Sequence, residues 1–265
     1  MKAEAVAHDN EYHGAMIAVL ELVWGAGFMA PGGKGNVDRM VAGLDLEDRR
    51  VLDIGSGIGG PAIVLARDHG ARVTGTDLEA PLVAKAVAYG EAAGLQDRLD
   101  FRVVEAGPMP FADESFDVVF SSGAFTQIDD KEAMFAQCVR VLKPGGWVTV
   151  YDWLKAPGDY SADMRRWFEL EGLTYAMRTL EAYEAVLKGA GLVEVAIEDA
   201  SGWYRREVRV EYDKLKGPLY EPMVELIGRA EADHFVENWR AMTVVCERGE
   251  MRQGYCRGRK PAVGG

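Results

Sequence analysis

The chain has 265 residues and a formal net charge of −12 at pH 7, with 48% apolar residues. That length suits one large α/β domain with an elaboration. The negative charge repels nucleic acid and anionic membrane, and no apolar run approaches the ~18 residues that cross a bilayer, so a small-molecule substrate is expected, without nucleic acid or stable membrane association.

The opening MKAEAVAHDNEYHG has neither a basic segment followed by an apolar stretch nor a cleavage pattern, so it does not read as a secretion signal. Cys138, Cys246 and Cys256 form no CxxC, which predicts a reducing cytoplasm and neither a disulfide framework nor a metal site. Residues 10–45 read as two helical pieces around the turn FMAPGGKG.

Residues 51–60, VLDIGSGIGG, are an apolar run ending in a carboxylate and then a glycine-rich turn, and VTGTD closes a second apolar run on Asp77. A strand, a loop whose missing side chains let a ligand touch backbone, and an acid about 20 residues on form the layout of a nucleoside site. Gly55, Gly57 and Gly60 also satisfy the G-x-G-x-x-G of dinucleotide binders, which keeps an NAD-dependent oxidoreductase as an alternative. Asp53 favours the other choice: an acid aimed at this turn repels a pyrophosphate but suits a ligand with a sulfonium and an ammonium. S-adenosylmethionine is such a ligand.

Further on, DLDFRVVEAGPMPFADESFDVVFSSGAF brings Glu105 to the end of a third strand and then supplies the strand FDVVFSSG. An amphipathic helix, the turn LKPGG and the strand WVTVYDW follow. TLEAYEAVLKGAGL reads as a helix capped by Thr179 and stopped near Gly191, and VEVAIED as the next strand. Such alternation predicts a Rossmann-like, mostly parallel sheet with helices on both faces. Residues 203–248 read as helical, punctuated by Pro218 and Pro222, ahead of a closing segment EMRQGYCRGRK.

DIGSGIGG, VTGTD, PFADESFDVVFS and VLKPGGWVTV together resemble the successive motifs of class I S-adenosylmethionine-dependent methyltransferases, over roughly residues 45–200. The resemblance implies seven strands, the last antiparallel. A single methyltransferase domain is expected over 1–265, with an N-terminal lid (1–45), a cofactor-binding core (46–200), a helical cap (201–248) and a final strand and tail (249–265). It also implies roles. Gly55, Ser56 and Gly57 would bring backbone to the methionine portion, with Asp53 offsetting its ammonium directly or through water. Asp77, beside Leu78, would accept from both ribose hydroxyls, while Glu105, Ala106 and Ser121 would complete the cofactor site.

DNEYHGAMIAVLELVWGAGFMAPGG is similar to the opening of phosphoethanolamine N-methyltransferases. That likeness makes Tyr12 the catalytic residue, handling the proton of an amine acceptor, and Met29 and Ala30 lid residues on the cofactor. The chain also departs from that family: Ser122 and Gly123 replace a basic and an acidic residue that hold substrate, Gln127 replaces the histidine partner of the tyrosine, and Ala200 replaces a phosphate-gripping arginine.

An aromatic set remains to hold a methylated cation: Phe125, Trp153, Trp167, Tyr175, Trp203 and Tyr204. Gln127, Trp153, Tyr175, Trp203 and Tyr204 are the expected substrate-binding residues, with Arg178 ready for a small anionic end and Arg205, Arg206, Arg257 and Lys260 as further candidates. The expected reaction is N-methylation of a small amine, phosphoethanolamine-like or amino-acid-like. The alternative is S-methylation of a small thioether acid, whose neutral sulfur needs no base. A monomer is the default expectation.

Overall fold

A computed structural model describes residues 14–173 and 175–262. The first lid piece is α1 (Gly14–Trp24) and the second α2 (Gly33–Met40). The core then alternates: β1 (Arg50–Ile54), α3 (Gly60–His69), β2 (Arg72–Asp77), α4 (Ala80–Ala92), β3 (Leu99–Val103), β4 (Phe116–Ser122), α5 (Lys131–Val141) and β5 (Leu142–Lys155). After it come α6 (Ala162–Glu171), α7 (Leu180–Gly189), β6 (Val193–Asp199), α8 (Ser201–Leu215), α9 (Tyr220–Ile227), α10 (Arg229–Glu247) and β7 (Met251–Arg259).

The seven strands form one sheet in the order β3-β2-β1-β4-β5-β7-β6. β1 pairs in parallel with both β2 and β4, while β7 runs antiparallel between β5 and β6. Val51, Leu52 and Val119 on the two central strands are fully buried, as residues of a sheet covered on both faces must be. One apolar layer packs α5 and α7 against Leu52, Val119 and Val148. The other packs α2 and α3 against Val51, Val118 and Tyr151. A third cluster joins α1 to α6, α8 and α10 over Trp153, closing a roof over the carboxyl ends of the strands.

Local chemistry explains most boundaries. Thr179 caps α7 by accepting from Ala182 N–H at 3.2 Å, and Gly191 follows the helix at φ +84°. The region expected as one helical run breaks at Gly217-Pro218 and at Gly228, not at Pro222. Pro222 lies in the first turn of α9, where its missing N–H leaves no helical bond unmade. LKPGG is not a separate turn: β5 starts at Leu142, and its register against β4 shifts between Phe116 and Val118 to absorb the extra residues. Glu105 lies two residues beyond the end of β3 rather than within it.

No helix among the described residues is long and apolar enough to cross a membrane. Cys138, Cys246 and Cys256 are buried free thiols.

Candidate functional site

A cavity of about 690 Å³ opens at the carboxyl ends of β1, β2 and β4, under α1 and the loop that follows it. Crevices beyond the strand ends, where strand order reverses, are the usual ligand positions of such sheets. Here β1 is that reversal point, with β2 leading one way and β4 the other.

The turn after β1 carries the site's first wall. Gly55, Gly57 and Gly59 have φ of +68°, +52° and +90°, a region closed to most other residues. Space is also lacking: a Cβ on Gly55 would meet Ala124 Cβ at 2.2 Å, and one on Gly57 would meet Met29 Sδ at 3.0 Å. Gly60 is equally constrained, because its N–H donates to Gly27 O at 2.9 Å and a Cβ would meet that oxygen at 2.2 Å. The loop after α1 is thus seated directly on the glycine turn. Glu21 of α1 fastens the seat, accepting from Gly27 N–H at 2.8 Å and from the Tyr89 hydroxyl of α4 at 2.6 Å.

Asp77 ends β2 and faces the same turn. Its Oδ2 accepts from Gly57 N–H at 2.9 Å and its Oδ1 from Glu79 N–H at 3.1 Å. Burial raises its pKa, and those backbone donors work against the rise. Beneath the turn Asp53 is 1% exposed, and burial together with the Asp77 charge pushes its pKa up to about 8. Asp53 Oδ2 and the Ser56 hydroxyl are buried with no hydrogen-bond partner among the described residues, so the turn holds polar capacity that a ligand or water would use.

Most of the expected site residues converge here. Gly55, Ser56, Gly57, Asp77 and Leu78 line one side of the cavity, Glu105 and Ala106 its rim, and Met29 and Ala30 its lid. Gln127, Trp153 and Tyr175 line the far half.

The other expected residues lie off the described lining. Asp53 is not in the lining and is 1% exposed beneath the glycine turn, a position from which the route through water is the one of its two expected routes that remains. Ser121 is wholly buried and donates to Ile54 O at 2.8 Å. Strand alternation turns its neighbour Ser122 into the cavity instead. Trp203 packs under the lid loop, 3.0 Å from a Cβ on Gly32 and edge-on to Tyr151. Tyr204 backs Trp153 at a ring separation of 5.8 Å and directs its hydroxyl to Glu211.

Arg178 lies outside, against Asp129 O at 3.3 Å and the Glu132 carboxylate at 3.5 Å. The other basic candidates fail similarly: Arg205 and Arg206 are exposed on α8, Arg257 donates to Ala42 O, and Lys260 to Leu142 O. Of the remaining aromatic candidates, Phe125 is fully buried and Trp167 stacks behind Trp153. Tyr12 lies outside the described residues.

Sequence reasoning missed two wall residues. Glu171 ends α6, a helix signalled by the cap Ser161, the spacing Met164-Trp167-Leu170 and the stop Gly172. Thr126, in the 3₁₀ turn after β4, lines the cavity while its N–H is held by Asp152 Oδ1 at 2.9 Å. Asp152 in turn accepts from the Tyr183 hydroxyl, and burial pushes its pKa up to about 6.

Charge in the lining is one-sided. Asp77, Glu79, Glu105, Asp129 and Glu171 line the cavity, and among the described residues no lysine, arginine or histidine does. A phosphate-rich dinucleotide would face only acids there, whereas a cationic nucleoside meets the charge it needs. The glycine turn, the unpartnered Ser56 hydroxyl and Asp77 therefore fit S-adenosylmethionine.

Comparison with known proteins agrees. A family model described as a methyltransferase domain matches residues 52–150. Phosphoethanolamine N-methyltransferase 1 of Arabidopsis thaliana is 29% identical over 248 residues, covering 93% of this chain and 50% of that protein. The chain thus spans about half the length of the phosphoethanolamine enzymes it matches. The 27-O-demethylrifamycin SV methyltransferase of Amycolatopsis mediterranei is 32% identical over 209 residues, covering 78% of this chain and 76% of that protein. Among solved structures, Haemonchus contortus phosphoethanolamine N-methyltransferase 2, in complex with phosphomonomethylethanolamine and S-adenosylhomocysteine, superposes with a TM-score of 0.88 at 25% identity, over 96% of this chain and 59% of that one. With this fold, this cofactor turn and these relatives, the chain belongs to the class I S-adenosylmethionine-dependent methyltransferases and is similar to the phosphoethanolamine N-methyltransferases among them.

Proposed function

We propose that the protein methylates the nitrogen of a small amine. The observation that carries this reading is that the charged residues of the described lining are all acids, joined in its far half by the rings of Trp153 and Tyr175. Carboxylates and aromatic faces both stabilise a cation. A thioether acid would bring its own carboxylate into this wall without a basic partner, which disfavours the S-methylation alternative.

S-adenosylmethionine, when bound, supplies an electrophilic methyl on sulfur: the amine lone pair forms the N–C bond, the S–C pair returns to sulfur, and one proton leaves the nitrogen. The chain's own tasks are alignment, exclusion of water and removal of that proton. The lid residues Met29 and Ala30 cover the reacting region, and Asp77 and the glycine turn fix the nucleoside. For the proton we assign Tyr12, which stands four residues before the cavity-lining Met16 in sequence. Gln127 carries an amide, which does not ionise and cannot relay that proton as an imidazole would. We take the chain to act as one methyltransferase domain, in which residues 1–45 supply the lid and 201–248 the roof.

The deciding experiment offers labelled cofactor to a panel of primary and methylated amines, phosphoethanolamine and thioether acids. Label on nitrogen supports the reading, and label only on sulfur overturns it. Tyr12→Phe should slow turnover while leaving cofactor affinity unchanged; full turnover would remove Tyr12 from proton handling.

Cofactor binding at pH 7 should also release a fraction of a proton. With its pKa pushed to about 8, Asp53 is largely protonated in the free protein, and a cationic ligand at the turn favours its ionised form, so the proton leaves rather than enters. Calorimetry in buffers of different ionisation enthalpy measures this release, and Asp53→Asn should abolish it.

A further inference from the structure

We infer that Glu171 is the counter-charge for the methyl acceptor, and that the far half of the cavity selects a hydrophobic amine carrying no phosphate or carboxylate. This inference rests on the reading of the protein as an amine methyltransferase.

Glu171 lines the cavity from the end of α6. Its Oε2 accepts from Asn238 Nδ2 of α10 at 2.6 Å, and Tyr175 also hydrogen-bonds to it. No lysine or arginine among the described residues forms an ion pair with it. Two buried carboxylates away from the glycine turn, Glu211 and Asp152, are differently placed. Glu211 is enclosed by Trp24, Trp239 and Tyr204, which all donate to it, and Asp152 by Tyr183, Thr126 N–H and the nearby Lys131 charge. Of these three, only Glu171 lines the cavity; His234, whose Nε2 lies 2.8 Å from Leu170 O, acts on its charge from outside the lining, and a ligand cation would add a partner from within. A carboxylate raised by burial but held by two neutral donors gains most from a cation that arrives with the ligand.

The surroundings define that ligand. Tyr175, bonded to Glu171, lies parallel to Trp153 with interplanar angle 6°, and Trp167 stacks on both rings. These rings give a flat wall beside the carboxylate, suited to an ammonium and its attached carbons. Met16, Leu20 and Trp24, one helical turn apart on α1, and Leu173 supply an apolar surface for the rest of the molecule. Thr126, 3% exposed and lining the same space, has a hydroxyl with no partner among the described residues. A phosphate here would meet Glu171 and Asp129 with no cation in the described lining, a repulsion that a low-dielectric wall does not screen.

The test is calorimetric titration of the full chain, loaded with S-adenosylhomocysteine, using N-methylbenzylamine, its neutral analogue benzyl methyl ether, and phosphoethanolamine. N-methylbenzylamine should bind more tightly than either, and Glu171→Gln should weaken it by about tenfold to a hundredfold with S-adenosylhomocysteine affinity unchanged. Equal affinity in Glu171→Gln, tighter binding of phosphoethanolamine, or no binding of N-methylbenzylamine would each overturn the inference. If Glu171→Gln lowers the unfolding midpoint, the contrast among the three ligands on the native protein decides alone. Labelled methyl on phosphoethanolamine nitrogen would preserve N-methylation yet overturn the inferred exclusion of phosphate, so the two readings fail separately.

Discussion

Asp77→Ala is expected to raise the dissociation constant of S-adenosylhomocysteine by about a hundredfold. Losing two ribose hydrogen bonds to a charged acceptor costs roughly 1.5 to 3 kcal/mol in all, and about 1.4 kcal/mol is a factor of ten. The same carboxylate also holds the turn itself through Gly57 N–H at 2.9 Å, so its loss frees a glycine already in an entropically costly conformation. Asp77→Asn separates the two contributions: it keeps the shape and one oxygen acceptor while removing the charge, and should recover part of the affinity. Titration of each variant at fixed pH, with the unfolding midpoint as a control, measures the effect. Native affinity in Asp77→Ala would remove this residue from the cofactor site.

That turn was legible in the sequence because its constraints are local. A buried apolar run, glycines at positive φ and an acid one helix and one strand later are each written in consecutive residues, and the cap Thr179 on α7 is likewise local. The far half of the cavity was less legible, for physical reasons. Whether Ser121 or Ser122 faces the ligand depends on a single step of strand register, which flips every side chain. Whether Trp153 or Tyr204 forms the wall depends on how α8 sits against β5, which no spacing encodes. Glu171 was not singled out at all, since the cavity beside it is made by α1, the end of α6 and residues 173 and 175 only after they pack. The basic candidates failed because Arg178 found Glu132 and a carbonyl nearby, and such pairing is invisible in a composition.

Lys131→Met is expected to lower the stability of the protein by about 3 to 5 kcal/mol, a shift of roughly 6 to 20 °C in the unfolding midpoint. In sequence Lys131 is an ordinary first-turn residue of a helix. In the structure it is wholly buried, its ammonium donating at 2.8 Å to each of Phe125 O, Ile128 O and Ala176 O. Burial lowers its pKa, while the Asp152 charge opposes the fall. Methionine fills the volume but leaves Ile128 O and Ala176 O without this donor, while Phe125 O keeps only Ile128 N–H at 2.9 Å, and each orphaned group costs about 1 to 3 kcal/mol.

The three carbonyls belong to the two segments that carry Thr126, Gln127 and Tyr175. Lys131 therefore braces two adjoining segments of the acceptor half, which Ala176 N–H also joins by donating to Thr126 O at 2.7 Å, while none of its hydrogen bonds reaches the glycine turn. Loss of the ammonium should loosen acceptor binding and leave S-adenosylhomocysteine affinity within a few-fold of native at a temperature where the variant is folded. A midpoint within about 1 °C of native would mean that water replaces the ammonium without cost, leaving the Ala176 N–H to Thr126 O hydrogen bond to hold the two segments together.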